Sequence, residues 1–119
     1  MMRVFLSGPM EGKPNRNVEA FADARTRLIE RGHSVISPPH DVDQALGYTA
    51  ALDRCLAYIR DDVDVVAMMR ESEDSKGSTA EIAYSRAIGR PIYVEWTDGA
   101  FARIMSDSEF GSGKGREIL

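Results

Sequence analysis

Cysteine occurs once in this chain, at position 55, and that scarcity excludes an internal disulfide and leaves no cysteine cluster for a structural zinc. Long hydrophobic runs are missing as well. The apolar stretch Val4-Phe5-Leu6 stops at Ser7 and Gly8, too short for a signal peptide or a membrane span. Positive charge gathers nowhere: the net charge is −4 and no Lys/Arg cluster stands out, whereas a duplex nucleic-acid partner needs a basic face. There are no internal repeats, and low-complexity sequence is confined to the Ser/Gly-rich end. These absences leave a soluble, cytoplasmic protein that acts on a small molecule, with no membrane, no duplex nucleic acid, no metal and no cofactor expected.

What is present is enough apolar sequence for one core. The 119 residues are 43% hydrophobic and 29% charged, which suits a single compact domain and is too short for two. Residues 3–6 read as a buried strand ended by Ser7-Gly8-Pro9, with a loop to Pro14. From Asn17, Val18, Phe21, Ala24 and Leu28 recur at helical spacing, with Glu19 in the first turn and Gly32 placed to end the helix. A second strand, residues 33–37, stops at Pro38-Pro39. Residues 40–48 read as a polar loop, and a helix over 49–60 carries the stripe Leu52, Cys55, Leu56, Ile59, which makes Cys55 an inert core thiol. A third strand covers 63–69. A helix beginning near Ala80 follows, with Ala80, Ala83, Tyr84, Ala87 and Ile88 facing inward, and then a fourth strand over 91–96. Strands alternating with helices in this way predict an α/β fold, a doubly wound parallel sheet of four to five strands in the flavodoxin or Rossmann manner. The domain spans residues 1–96. Residues 97–119 read as a short helix (99–105) and a flexible Gly/Ser-rich tail, whose Gly111 to Gly115 run lacks the strand, the Lys-Ser/Thr pair and the helix of a P-loop.

The stretch Ser75-Lys76-Gly77-Ser78-Thr79-Ala80-Glu81 stands where ligands gather in such folds, at the turn between a strand and the helix after it. Gly77 allows close backbone approach, the hydroxyls of Ser75, Ser78 and Thr79 can donate, and the N–H groups of a helix's first turn attract anions. Glu81 has two readings. As part of Ser78-x-x-Glu81 it matches the capping box; as a carboxylate at a ligand cleft it is a candidate for chemistry.

Taken together, Val4-Phe5-Leu6-Ser7-Gly8-Pro9-Met10-x-Gly12, Arg31-Gly32-His33, Asp64-Val65-Val66 and Ser75-Lys76-Gly77-x-x-x-Glu81 before Gly89 resemble the nucleoside 2-deoxyribosyltransferase-like superfamily, over about residues 3–95. In particular they resemble its small phage and bacterial members and the 2′-deoxynucleoside 5′-monophosphate N-glycosidases. The resemblance implies that Glu81 attacks the anomeric carbon, expels the base and holds the sugar as an ester until water or a second base takes it. It implies a substrate cradle from Ser7, Gly8, Pro9, Met10 and Gly12 facing Ser75, Gly77, Ser78 and Thr79 across one cleft. It also implies a homodimer or larger closed oligomer in which a neighbouring subunit completes each site, in keeping with a small sheet whose helix faces are incompletely covered.

Two positions depart from the superfamily pattern. Met10 stands where the phosphate-handling hydrolases carry Arg, so that Lys13, Arg16 or Lys76 would have to supply a charge. Cys55 stands where relatives carry an aspartate; Asp53 lies about 200° around the helix from it. Asp41, Asp43 or Asp53 would then serve as the acid/base group. Two functions remain open on these residues: cleavage of the N-glycosidic bond of a nucleoside or nucleotide, and a nucleotide-binding or sensing module without catalysis.

Overall fold

The computed structural model describes residues 1–104 and 117–119. Five strands form one sheet: β1 (Arg3–Ser7), β2 (Ser34–Ile36), β3 (Val65–Met68), β4 (Ile92–Glu95) and β5 (Phe101–Arg103). Four helices connect them: α1 (Val18–Glu30), the single turn α2 (Pro38–Asp41), α3 (Tyr48–Asp61) and α4 (Lys76–Ile88). The strand order is β2-β1-β3-β4-β5, with the first four parallel and β5 antiparallel to β4. This is the doubly wound order in which the chain steps outward from β1 to β2, returns, and continues past β3 on the other side.

Alternation along β1 divides the core. Val4 and Leu6 pack with Phe21, Ala24 and Leu28 of α1 on one face, while Phe5 packs with Cys55 and Ile59 of α3 on the other. The register Phe5↔Val66 and Ser7↔Met68 ends β1 and β3 side by side, and the order of the sheet reverses at that pair. A crevice opens outside the carboxyl ends of these strands.

The structure corrects several expectations. Residues 99–105 do not form a helix: Phe101–Arg103 is β5, joined to β4 by a tight Trp96–Ala100 turn in which Gly99 takes φ +85° and the Asp98 carboxylate accepts from the Ala100 N–H (3.0 Å). Asp-Gly between apolar runs is a hairpin signal, and it prevails over the weak helical pattern. The end of the expected flexible tail is docked: Ile118 bridges Ala102, Arg31 Nε donates to the Leu119 carbonyl, and Leu119 is buried. Gly111 to Gly115 lie outside the described residues. Residues 40–48 hold the end of α2 and a 3-10 turn (Gln44–Leu46) rather than open loop. Helix α4 begins at Lys76, not Ala80, and its buried face is Ser78, Glu81 and Ser85, whereas Ala83, Ala87 and Ile88 are exposed. Among the described residues, no helix is long and apolar enough to cross a membrane.

Candidate active site

The earlier start of α4 removes the capping-box reading of Glu81. Ser75 is the N-cap, its Oγ accepting from the Ser78 N–H at 3.2 Å, while the Ser75 carbonyl accepts from Thr79 Oγ1 at 2.8 Å. Ser78 is therefore inside the helix, and Glu81, in the second turn, is not at the N3 position a capping box requires. Its distance from the helix end also weakens the dipole's pull on its charge, which fades beyond the first turn.

Instead, the Glu81 side chain turns onto the sheet. Ser7 Oγ, at the end of β1, donates to Glu81 Oε1 at 2.8 Å, and the Cys55 thiol of α3 makes a second hydrogen bond to the same carboxylate. Ser7 is fully buried and Glu81 is 6% exposed. Burial pushes the Glu81 carboxyl up to about 7 from its ordinary 4.5, with the Ser7 and Cys55 hydrogen bonds pulling the other way. Burial and the neighbouring carboxylate push the Cys55 thiol up as well, so that it stays protonated and donates. Cys55 is thus a core thiol as the helical stripe predicts, and also a partner of Glu81, which periodicity could not show.

Glu81 borders a cavity of about 290 Å³. Ser75, Gly77 and Ser78 form its α4 wall, and Gly8, Met10 and Glu11 close it from the loop after β1. Tyr48, Ala51, Leu52 and Cys55 of α3 face them, with Pro38, Val42, Gln44, Gly47 and Arg16 at the remaining sides. Gly8 is constrained by packing, since a Cβ there would stand 2.6 Å from Met69 Sδ and 3.0 Å from the Phe21 ring. Ser78 Oγ is buried without a hydrogen-bond partner.

The structure brings together most of the residues expected from sequence. Glu81, Gly8, Met10, Ser75, Gly77 and Ser78 line the cavity, and Ser7 holds Glu81 from behind. Pro9, Gly12 and Thr79 do not line it: the Pro9 carbonyl accepts from Asn17 Nδ2 (3.0 Å), Gly12 is an exposed turn at φ +75°, and the Thr79 hydroxyl serves the helix cap. The carboxylates offered in place of the missing aspartate are elsewhere. Asp41 accepts from the Ser37 N–H, Asp43 caps the 3-10 turn at Ala45, and Asp53 is exposed on α3; none borders the cavity. Lys13 is paired with Glu71.

Sequence reasoning passed over Glu11, the one other carboxylate among the described residues lining the cavity, which occupies the unspecified place between Met10 and Gly12. It also passed over Tyr48 and Gln44, set by the Gly47 turn at φ +83°. Arg16 was one of three options for a cation and is the one at the cavity. It sits in a run of three left-handed residues, Asn15, Arg16 and Asn17 at φ 48°, 54° and 62°. Such a backbone costs an L-residue roughly 1–2 kcal/mol outside Asn, Asp and Gly. Among the described residues, no group of three or more His, Cys, Asp or Glu side chains converges as a metal site.

A sheet wound in both directions from β1 and β3, with a buried carboxylate beside the crevice at its reversal point, defines a Rossmann-like α/β domain with a cleft at its switch point. Residues 2–94 match the family described as domain of unknown function DUF4406, and the chain belongs to that family. No curated protein matches it. Solved structures similar to it include a 2-deoxyribosyltransferase from the psychrotolerant bacterium Bacillus psychrosaccharolyticus, 19% identical over 77% of this chain and 70% of that one, with a TM-score of 0.62. Another is a 2-deoxyribosyltransferase from Leishmania mexicana, 15% identical over 83% of this chain and 76% of that one, again with a TM-score of 0.62. The superfamily resemblance carried by the motifs is therefore matched by the fold.

Proposed function

We propose that the chain cleaves the N-glycosidic bond of a deoxynucleoside or its 5′-monophosphate, with Glu81 as nucleophile, and passes the sugar to water or to a second base. The observation that carries this reading is Glu81 itself, a buried carboxylate held by Ser7 at 2.8 Å on the edge of a cavity. The solved structures of similar fold are of 2-deoxyribosyltransferases, which supports base transfer as the general chemistry.

In this reading a Glu81 oxygen bonds to C1′ as the C1′–N bond breaks, and the electron pair leaves with the base nitrogen. The transition state is oxocarbenium-like, so the adjoining carboxylate also offsets positive charge on the sugar. Glu11, the other carboxylate lining the cavity, gives the base its proton and then takes one from the acceptor as it displaces Glu81 from C1′. Glu81 must be ionised to attack, and Ser7 and Cys55 favour that form.

Chromatography of free base released from deoxynucleosides and their monophosphates tests the proposal. Glu81→Gln keeps the shape but cannot form the ester, so turnover should fall by orders of magnitude. Near wild-type release from that variant would overturn the mechanism. The second reading, a binding module without catalysis, is favoured by Cys55 standing where relatives carry aspartate. It predicts ligand binding with no release from any substrate.

A further inference from the structure

We propose that Ser78 is a specificity-determining residue that reads a secondary hydroxyl of the substrate's sugar, on the furanose face that Glu81 attacks. The inference rests on the Glu81 reading for the placement of the sugar, and on Ser78 itself for the group it binds.

Ser78 is 1% exposed and lines the cavity, yet its Oγ has no hydrogen-bond partner among the described residues. Buried hydroxyls in folded proteins are nearly always satisfied, because an unpaired one has given up its bonds to water for nothing. The hydroxyls around it are all engaged. Ser7 Oγ donates to Glu81 Oε1 at 2.8 Å, and Ser75 Oγ accepts from the Ser78 N–H at 3.2 Å. Thr79 Oγ1 and Ser85 Oγ each turn back onto the carbonyl four residues earlier, that of Ser75 at 2.8 Å and that of Glu81 at 2.7 Å. Ser78 makes no such bond to its own helix. Its hydroxyl hangs on a single rotatable bond, so it can turn to a ligand in the cavity without movement of the backbone.

Stereochemistry identifies the group it meets. Displacement at C1′ brings the attacking oxygen to the side opposite the departing base. In a β-nucleoside the base and C5′ share one face of the furanose, and the 2′ and 3′ hydroxyls lie on the other. Glu81, attacking from that other face, has the ring hydroxyls beside it and the 5′ substituent turned away. Ser78 is one turn from Glu81 on the same side of α4, with Cβ atoms about 5–6 Å apart, and both side chains line the cavity. One helix face thus offers a carboxylate to C1′ and a hydroxyl, able to donate or accept, to the 2′ or 3′ oxygen. A sugar that lacks the group leaves Ser78 buried and unpaired, which is how a site built to hydrogen-bond a hydroxyl rejects the analogue without it.

The test measures kcat/KM, and Kd by calorimetry, for the ribo, 2′-deoxy, 3′-deoxy and 2′,3′-dideoxy forms of adenine and uracil nucleosides, each also as its 5′-monophosphate. The variants are Ser78→Ala and Ser78→Cys, the second keeping most of the volume with only a weak donor, and a thermal melt is the folding control. Each variant is compared with wild type on the same substrate, so the intrinsic reactivity of each sugar cancels. Both variants should lose at least about fivefold in kcat/KM and in affinity on sugars that carry the hydroxyl, and less than about twofold on those that lack it. A loss that follows the 2′ group assigns that oxygen to Ser78, and one that follows the 3′ group assigns the other. An equal loss on all four sugars, or no loss on any, overturns the proposal. Calorimetry separates this from failure of the glycosidase reading, because the hydroxyl-dependent loss of affinity should appear whether or not any bond is cleaved, and should persist when Ser78→Ala is combined with Glu81→Gln. No binding of any of these ligands to wild type at millimolar concentration also overturns it.

Discussion

At the scale of single residues, Glu81 makes function and stability pull against each other. Its carboxyl is pushed from 4.5 to about 7 on folding, so the folded state holds its proton more tightly than the unfolded one. For an acid raised in this way the cost to stability is absent below pH 4.5, grows as pH rises toward 7, and is complete above it. Its size is of order 3 kcal/mol. Glu81→Gln should therefore melt higher than wild type at pH 8, with the advantage shrinking toward pH 5, while base release is lost; a difference that is flat with pH would show that Glu81 does not titrate there. The Cys55 thiol favours the ionised carboxylate, so Cys55→Ala should move the acidic limb of the pH–rate profile to higher pH and Cys55→Ser should restore it. These partnerships were not legible in the sequence. Ser7 and Glu81 are 74 residues apart, and nothing in local spacing announces their contact.

Among the elements, strands β1 to β4 and the helices α1 and α3 follow from periodicity to within a few residues, because most of their buried positions are apolar. Helix α4 does not. Its inward face is Ser78, Glu81 and Ser85, so the apolar pattern of Ala83, Ala87 and Ile88 pointed to the wrong side and the wrong start. Local patterning fails most readily where a site replaces core. The corrected start changes which serine matters for stability. Ser75→Ala removes the cap and should cost about 0.5–2 kcal/mol. Ser78→Ala deletes a buried hydroxyl that has no partner and should leave the melting temperature unchanged or raise it. Thermal denaturation of the two variants side by side checks both. Strand β5 was missed for a different reason: its pairing rests on the Asp98-Gly99 turn and on Ile118, which lies beyond the range of any local window.

For the whole molecule, a five-stranded sheet with Ile29, Leu46, Tyr48 and Ile88 left exposed supports the expectation of a homodimer or larger closed oligomer. Sedimentation at micromolar concentration should show a species of at least twice the 13.2 kDa chain mass; a monomer would reject the assembly. The three elements that meet at Glu81 have a further consequence. Its carboxylate comes from α4, one hydrogen-bond donor from β1 and the other from α3, so its environment exists only when segments from the beginning, middle and later part of the chain have come together. A partly assembled chain would hold an ordinary, wet glutamate. Refolding near neutral pH should therefore draw a proton from solution late, with the closing of the crevice rather than with the first helices, and that uptake is a clock for completion of the fold that needs no substrate and no label.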